Sequence, residues 1–314
     1  MFFPTAGIEI APWIPPAVAF VISFFTSMGG VSGAFLLLPF QMTFLGYVLP
    51  SVSATNQLFN VVAIPGGVYR YIKEGRMVWP LTWIVVAGTL PGVFIGAWVR
   101  VAWLPDPKHF KLFAACVLLY IGSKLIRELL GKQPGQEGKT GSEKRFREMV
   151  RNRRQSGDSG MEQSAVRVTR FNLKRLGYTF YGESFDVSFW GLFSLSFIVG
   201  IVGGVYGIGG GAIIAPFLVT FFGLPVYTIA GAALMGTFVT SVAGVAFYQA
   251  IAPFYPDMSV APDWTLGFLF GLGGLAGMYL GARCQKFVPA SKIKWMLAGI
   301  IVFTALKYGA DFFR

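Results

Sequence analysis

Histidine occurs once in these 314 residues, cysteine twice, and aspartate and glutamate together only 14 times. Each scarcity removes a kind of chemistry. His109 stands beside Lys108 at the edge of an apolar segment, with no second histidine and no cysteine cluster near it, so no metal site is expected. Cys116 and Cys284 lie in or beside apolar segments and suggest no disulfide framework. The acids outside the polar middle of the chain are Glu9, Glu74, Asp106, Glu128, Glu183, Asp186, Asp257, Asp263 and Asp311, all at segment ends or in loops. An enzyme working at depth in an apolar protein needs a nucleophile, a base or metal ligands there. None is evident, so no catalytic residue, no cofactor and no enzymatic activity are expected.

Charge as a whole is also scarce, at 13% of residues against 54% hydrophobic, with mean hydropathy +0.62. A soluble domain carries about a quarter charged residues. The apolar residues come in runs of about 20, enough to cross a hydrocarbon core roughly 30 Å thick. This is the pattern of a polytopic membrane protein. The start, MFFPTAGIEIAPWIPP, has neither a basic n-region nor a small-residue cleavage site, and no cleaved leader is expected. The net charge of +12 does not point to nucleic acid as a partner. Much of the excess lies between Arg127 and Arg175 and at the ends of apolar runs, as cytoplasmic flanks do.

The apolar segments run roughly 14–46, 51–70, 77–99 and 110–130, then 187–222, 226–250, 264–284 and 290–312. Trp13, Trp79, Trp103, Trp190, Trp264 and Trp295 stand near their ends, like an interfacial aromatic belt. The two sets resemble each other. GGVSGAFLLLPFQMTFLG (29–46) matches YGIGGGAIIAPFLVTFFG (206–223); Gly88, Gly92 and Gly96 match Gly273, Gly277 and Gly281; FKLFAACVLLYIGSKL (110–125) matches IKWMLAGIIVFTALKY (293–308). Three matches in one order argue for an internal duplication: a first membrane repeat over 1–130, a basic insert over 131–186 and a second membrane repeat over 187–314. Glycine at every fourth position favours close helix packing over chemistry. The insert begins charged and flexible, and its second part, RVTRFNLKRLGYTFYGESFDV, suggests short strands with a turn at Gly182-Glu183.

Each first segment is too long for one ordinary span and is interrupted by glycines. If these segments crossed fully, the basic 283–294 loop would fall outside and the acidic 257–263 loop inside, against the positive-inside rule. If both are re-entrant, Arg70, Lys73, Arg76, the insert and the 283–294 loop all fall in the cytoplasm, and the N-terminus falls outside. Only Arg100, Lys108 and Lys111 are then misplaced. The expected fold is therefore all-α and polytopic, with two inverted repeats, each a broken re-entrant helix plus three transmembrane helices, and a small cytoplasmic insert containing short strands.

The glycines of GGVYGIGGGAIIAP (203–216) do not make a dinucleotide loop, because both flanks are apolar and no acid follows before Asp257. Unwound backbone in a membrane survives only where it is buried in protein or lines a cavity. Short helices starting near Ser32, Gly33 and Ala34 and near Gly209, Gly210 and Gly211 would aim free N–H donors inward, with about half a positive charge each. Two such termini balance a monoanion, and no Arg or Lys sits centrally to cover a second charge. The intramembrane amides Asn56, Gln57 and Asn60, and the stripe Thr237, Thr240 and Ser241, either bind the same ligand or bridge helices. With no acid or histidine at depth, transport would be uniport or would carry its proton on the cargo. Sodium held by backbone carbonyls remains an open alternative.

At GIGGG-xxxx-P (207–216), followed by AGAALMGTFVTSVAG (230–244), the chain resembles the sulfite exporter TauE/SafE family, also called toluene sulfonate uptake permeases. GGVSGAFLLLP with SVSATN downstream is similar to the family's other half, and only about 131–186 lies outside the likeness. The resemblance implies a prokaryotic inner-membrane permease for sulfite, sulfonates or related sulfur-containing anions, in contact with membrane lipid. An anion channel would share such a site, and a homo-oligomer is compatible with the sequence. Two departures stand out. Ser32 and Ala34 replace the glycines at 209 and 211, and the insert, regulatory, lipid-touching or merely solvated, is longer than in many members.

Overall fold

The computed structural model describes residues 1–28, 32–73, 77–130, 166–180, 183–224, 226–284 and 290–313. A two-stranded ribbon, β1 (Phe2–Phe3) and β2 (Ile8–Glu9), precedes six helices: α1 (Ile14–Met28), α2 (Ala34–Phe44), α3 (Ser51–Ala63), α4 (Pro65–Lys73), α5 (Trp79–Ala102) and α6 (Pro107–Leu130). Three strands follow, β3 (Val166–Phe171), β4 (Arg175–Phe180) and β5 (Glu183–Ser188). The chain then forms α7 (Phe189–Tyr206), α8 (Gly211–Phe222), α9 (Val226–Ile251), α10 (Trp264–Cys284) and α11 (Ala290–Phe313). Among the described residues, six helices are long and apolar enough to cross a membrane: α5, α6, α7, α9, α10 and α11. The helices α1 and α2 are apolar but shorter.

Segment 51–70, expected as one helix, is split. The Ile64 N–H closes α3 on Asn60 O, and Pro65, which has no N–H to continue the ladder, opens α4. The N-terminal ribbon was not foreseen. Its two-residue strands are too short to carry an alternating pattern. The expected charged, flexible start of the insert falls on 131–165, outside the described residues. Its second part forms the antiparallel sheet β3-β4-β5, in which Glu183 pairs with Phe180; 181 and 182 are likewise outside the described residues.

The helices pair across the two halves of the chain. α5 lies along α7, and α1 lies along α10. Glycines make both contacts close. A Cβ on Gly92 would collide with Phe197 O, and one on Gly277 with Phe20 O. Gly88, Gly92 and Gly96 face successively later residues of α7, and Gly273, Gly277 and Gly281 face Pro16, Phe20 and Phe24, so both pairs run parallel. α3 also runs parallel to α10, with Gly267 on Leu58 and Gly271 on Val62, while α6 packs on α11 and α5 on α9.

Loop contacts sort the ends of these helices. The Ala6 N–H donates to Asp263 Oδ2 (3.3 Å), the Ser51 N–H to Ser259 O (2.9 Å), and the Asp263 N–H to Thr55 Oγ1 (2.9 Å). The ribbon, the start of α3 and the 252–263 loop thus share one end, and the chain returns across α1 and α2 to the end it left. At the other end, Tyr178 and Thr228 share a hydroxyl–hydroxyl bond (2.9 Å), Gly191 rests on Phe222, and Gly231 rests on Tyr71 and Met77. The six tryptophans noted above are all exposed, from 44% for Trp79 to 72% for Trp103, as lipid-interface anchors require.

The three basic residues that fit the expected sidedness poorly are occupied. Arg100 is fully buried, donates to Leu104 O and Val48 O, and lies over the Phe110 ring. Lys111 pairs with Asp311 (3.8 Å), and Lys108 lies over the Phe312 ring. Charges held this way serve local structure.

Candidate functional site

The second helix break is built by glycine. α7 ends at Tyr206, and the Gly207 N–H donates back to Gly203 O (2.9 Å). Gly207 and Gly209 adopt φ of 79° and 72°, a left-handed conformation that residues with a Cβ rarely take. A Cβ on Gly207 would also collide with the Ser53 carbonyl, so α3 presses directly against the break. The Tyr206–Gly211 turn is wholly buried. The first break, between α1 and α2, includes 29–31, which lie outside the described residues.

Carbonyls released by the second break need donors, and α3 supplies them. Ser53 Oγ donates to Val205 O (3.0 Å), Asn56 Nδ2 to Gly207 O (3.1 Å) and Asn60 Nδ2 to Ile208 O (3.0 Å). These side chains recur at helical spacing on one face of α3 and are all fully buried. Asn56 Nδ2 also donates to Ala34 O (3.0 Å), in the first turn of α2. One nitrogen therefore holds both breaks. Tyr206 adds a second tie, its hydroxyl donating to Phe35 O (2.9 Å).

The helix N-termini differ. At α2, Ser32 Oγ accepts the Ala34 N–H (3.3 Å), and Gly33 O accepts those of Leu36 and Leu37. Of the first-turn N–H groups, those of Ala34 and Leu36 are thus satisfied locally. At α8, Thr240 Oγ1 accepts the Gly210 N–H (3.2 Å), while the Thr240 and Thr237 hydroxyls lie 2.6 Å from Gly236 O and 2.8 Å from Ala233 O. A Cβ on Gly211 would collide with Ala233 O, and one on Gly209 would meet Ser241 Oγ at 2.7 Å. The glycines at 209 and 211 let α8 begin directly against α9.

All twelve residues singled out from sequence thus lie in or beside this buried zone. Asn56, Asn60 and Ser241 join α3, α9 and the second break; Thr237 and Thr240 seat α8; Ser32, Gly33 and Ala34 start α2. Gln57 differs from the rest. It is fully buried, yet neither Oε1 nor Nε2 has a hydrogen-bond partner. Asn60 Oδ1, Gln41 Oε1 and Ser23 Oγ are also buried without partners. Sequence reasoning missed Ser53, Gln41 and Tyr206. Ser53 could have been found by carrying the Asn56–Asn60 stripe one turn back. Gln41, which donates to Asn56 Oδ1 (3.4 Å), sits in an apolar helix without periodic signal.

The buried polar centre thus lies where two interrupted helices meet, in a bundle with six helices long and apolar enough to cross a membrane. The family model described as "Sulfite exporter TauE/SafE" matches residues 16–308, from the first turn of α1 almost to the end of α11. The chain belongs to that family. It is similar to the "Probable membrane transporter protein YdhB" of Bacillus subtilis (strain 168), at 26% identity over 110 residues, or 35% of this chain and 42% of that protein. The matched region thus spans less than half the length of that relative. No solved structure matches.

Proposed function

We infer that the protein is a secondary transporter for a small, singly charged sulfur-containing anion, such as hydrogensulfite or a sulfonate. The ligand binds where the two helix breaks converge. The observation that carries this reading is the Asn56 amide nitrogen, within hydrogen-bonding distance of Ala34 O in α2 and Gly207 O beside α8. Convergence puts two positive helix termini near one point, about one elementary charge in sum. At α8, Gly209, Gly210 and Gly211 carry no Cβ that would obstruct close approach to the backbone.

In this reading α1–α2 and α7–α8 are re-entrant, and the two repeats are inverted in the inner membrane. The N-terminus lies outside and the insert in the cytoplasm. Support comes from the return of the chain across α1 and α2 to one end and from the parallel pairing of α3 with α10. The cross-paired α1–α10 and α5–α7 contacts suit alternating access, in which one repeat rocks against the other around a fixed site.

Thermal stabilisation of the purified protein by sulfite, thiosulfate, sulfate, sulfoacetate and isethionate tests the ligand class, since a ligand of the native state raises apparent stability by mass action. Singly charged members should stabilise most. Saturable counterflow in liposomes is expected of a carrier, and a linear, non-exchanging flux would show a pore instead.

A further inference from the structure

The polar atoms left over beside the second break have a chemical sense. Asn60 spends its amide N–H groups on Ile208 O (3.0 Å) and Ser241 Oγ (3.4 Å). Turning the amide over would set Oδ1 against the Ile208 carbonyl, two acceptors face to face. Its orientation is therefore fixed, and the group it leaves unpartnered is an acceptor, Oδ1, fully buried. One turn back on α3, Gln57 is fully buried with donor and acceptor both unpartnered. Its amide lies in the notch that Gly244 leaves on α9, where a Cβ would collide with Oε1. Gly244 and Ser241 are one turn apart on α9, as Gln57 and Asn60 are on α3. A polar patch thus runs between the two helices to Ile208 and Gly209, beside the start of α8.

Buried polar atoms without partners are costly. They persist where a ligand or water completes them. A fully deprotonated oxyanion cannot complete Asn60 Oδ1, since acceptor would meet acceptor. A hydrogen-bond donor can. The geometry points to a donor-reading subsite formed by Asn60 and Gln57: the anion carried must present an O–H beside its charged group, either a hydroxyl on the carbon chain or the acid proton of a hydrogen-oxyanion. This rests on the anion site proposed above and narrows its cargo. Asn60 accepts from the O–H, and Gln57, able to donate or accept, binds the same oxygen or its neighbour.

The test uses the purified full chain and a matched pair, 2-hydroxyethanesulfonate and ethanesulfonate, alike in head group and charge and different in one hydroxyl. Equilibrium binding should favour the hydroxylated compound by about tenfold, the weight of one buried hydrogen bond. Gln57→Met should narrow that gap, costing the hydroxylated compound more affinity than ethanesulfonate. In a second arm, sulfite is titrated across its ionisation from hydrogensulfite. A preference for the protonated form that weakens in Gln57→Met identifies the acid O–H as donor, whereas one that survives unchanged is a charge effect and counts against the subsite. The proposal is overturned if wild type binds both sulfonates equally and Gln57→Met leaves the sulfite profile as it was. Anion binding without these preferences defeats the subsite alone. If neither sulfonate nor sulfite binds, the anion reading falls and the subsite with it.

Discussion

Asn56 and Gln57 are neighbours on one helix with opposite accounts. Asn56 has both amide atoms engaged, on α2, the second break and Gln41; Gln57 has neither engaged. Their substitutions should separate accordingly. Asn56→Leu strands two buried carbonyls, each worth about 1–3 kcal/mol, and should lower the melting temperature of the detergent-solubilised protein sharply. Gln57→Met removes no protein hydrogen bond and should leave melting close to wild type, or raise it. A second residue-scale expectation concerns acid. Asp106, at the exposed start of α6, accepts the His109 N–H (3.2 Å), a bond that, with the His109 ring 2.5 Å away, holds its carboxyl below the usual range. A carboxyl depressed in the folded state favours folding above its unfolded pKa, and that contribution is lost as pH falls through the folded value. Asp106→Asn should lower the neutral plateau of a melting-versus-pH curve slightly and flatten its acid limb, since the variant lacks the contribution at every pH. From sequence, Asn56, Gln57 and Asn60 stood out as amides in an apolar run. Which of them bridges backbone and which is spare depends on where the α7 break lies, and no spacing along α3 encodes that.

At the scale of elements, glycine spacing was legible and its partners were not. The repeats at 88, 92 and 96 and at 273, 277 and 281 read as packing faces from period alone, because a missing Cβ every fourth residue has one geometric use. That each face meets the first helix of the other half is a long-range fact, carried by the shape of α7 and α1. Gly92→Val and Gly277→Val should therefore abolish monodisperse protein on size-exclusion chromatography. Gly299→Ala and Gly309→Ala, where an added Cβ meets nothing within 4 Å, should be tolerated, with any change toward stability. The split at Pro65 was equally available, since a proline without an N–H interrupts a ladder, yet the apolar run through it read as one helix. The sheet was visible as alternation in 167–187. Its docking through Tyr178, whose burial against α9 pushes its phenol up to about 12, was not.

For the whole molecule, sidedness is the expectation most exposed to refutation. With Cys116 and Cys284 replaced, single cysteines at Asp257 and at Lys174, both exposed, should react with an impermeant reagent from opposite faces of the membrane, Asp257 from outside. Labelling of both from the same face would end the inverted arrangement. The order of apolar segments was readable because hydropathy is local. The meeting of the two breaks was inferred from symmetry, and the nitrogen that joins them belongs to neither repeat of the glycine motif.

The cross-paired helices also set a timetable for biosynthesis. α1 emerges early and its partner α10 lies more than two hundred residues downstream. At ~5–20 residues per second, roughly ten seconds to most of a minute passes before they can meet. Throughout that interval the surface around Pro16, Phe20 and Phe24, shaped to receive bare backbone, has only lipid or an insertion factor against it. A short helix stranded in this way is a poor membrane anchor. Maturation of the amino-terminal half is thereby deferred until synthesis is nearly complete, and a truncated chain ending before α10 should be recognised as unfinished and degraded.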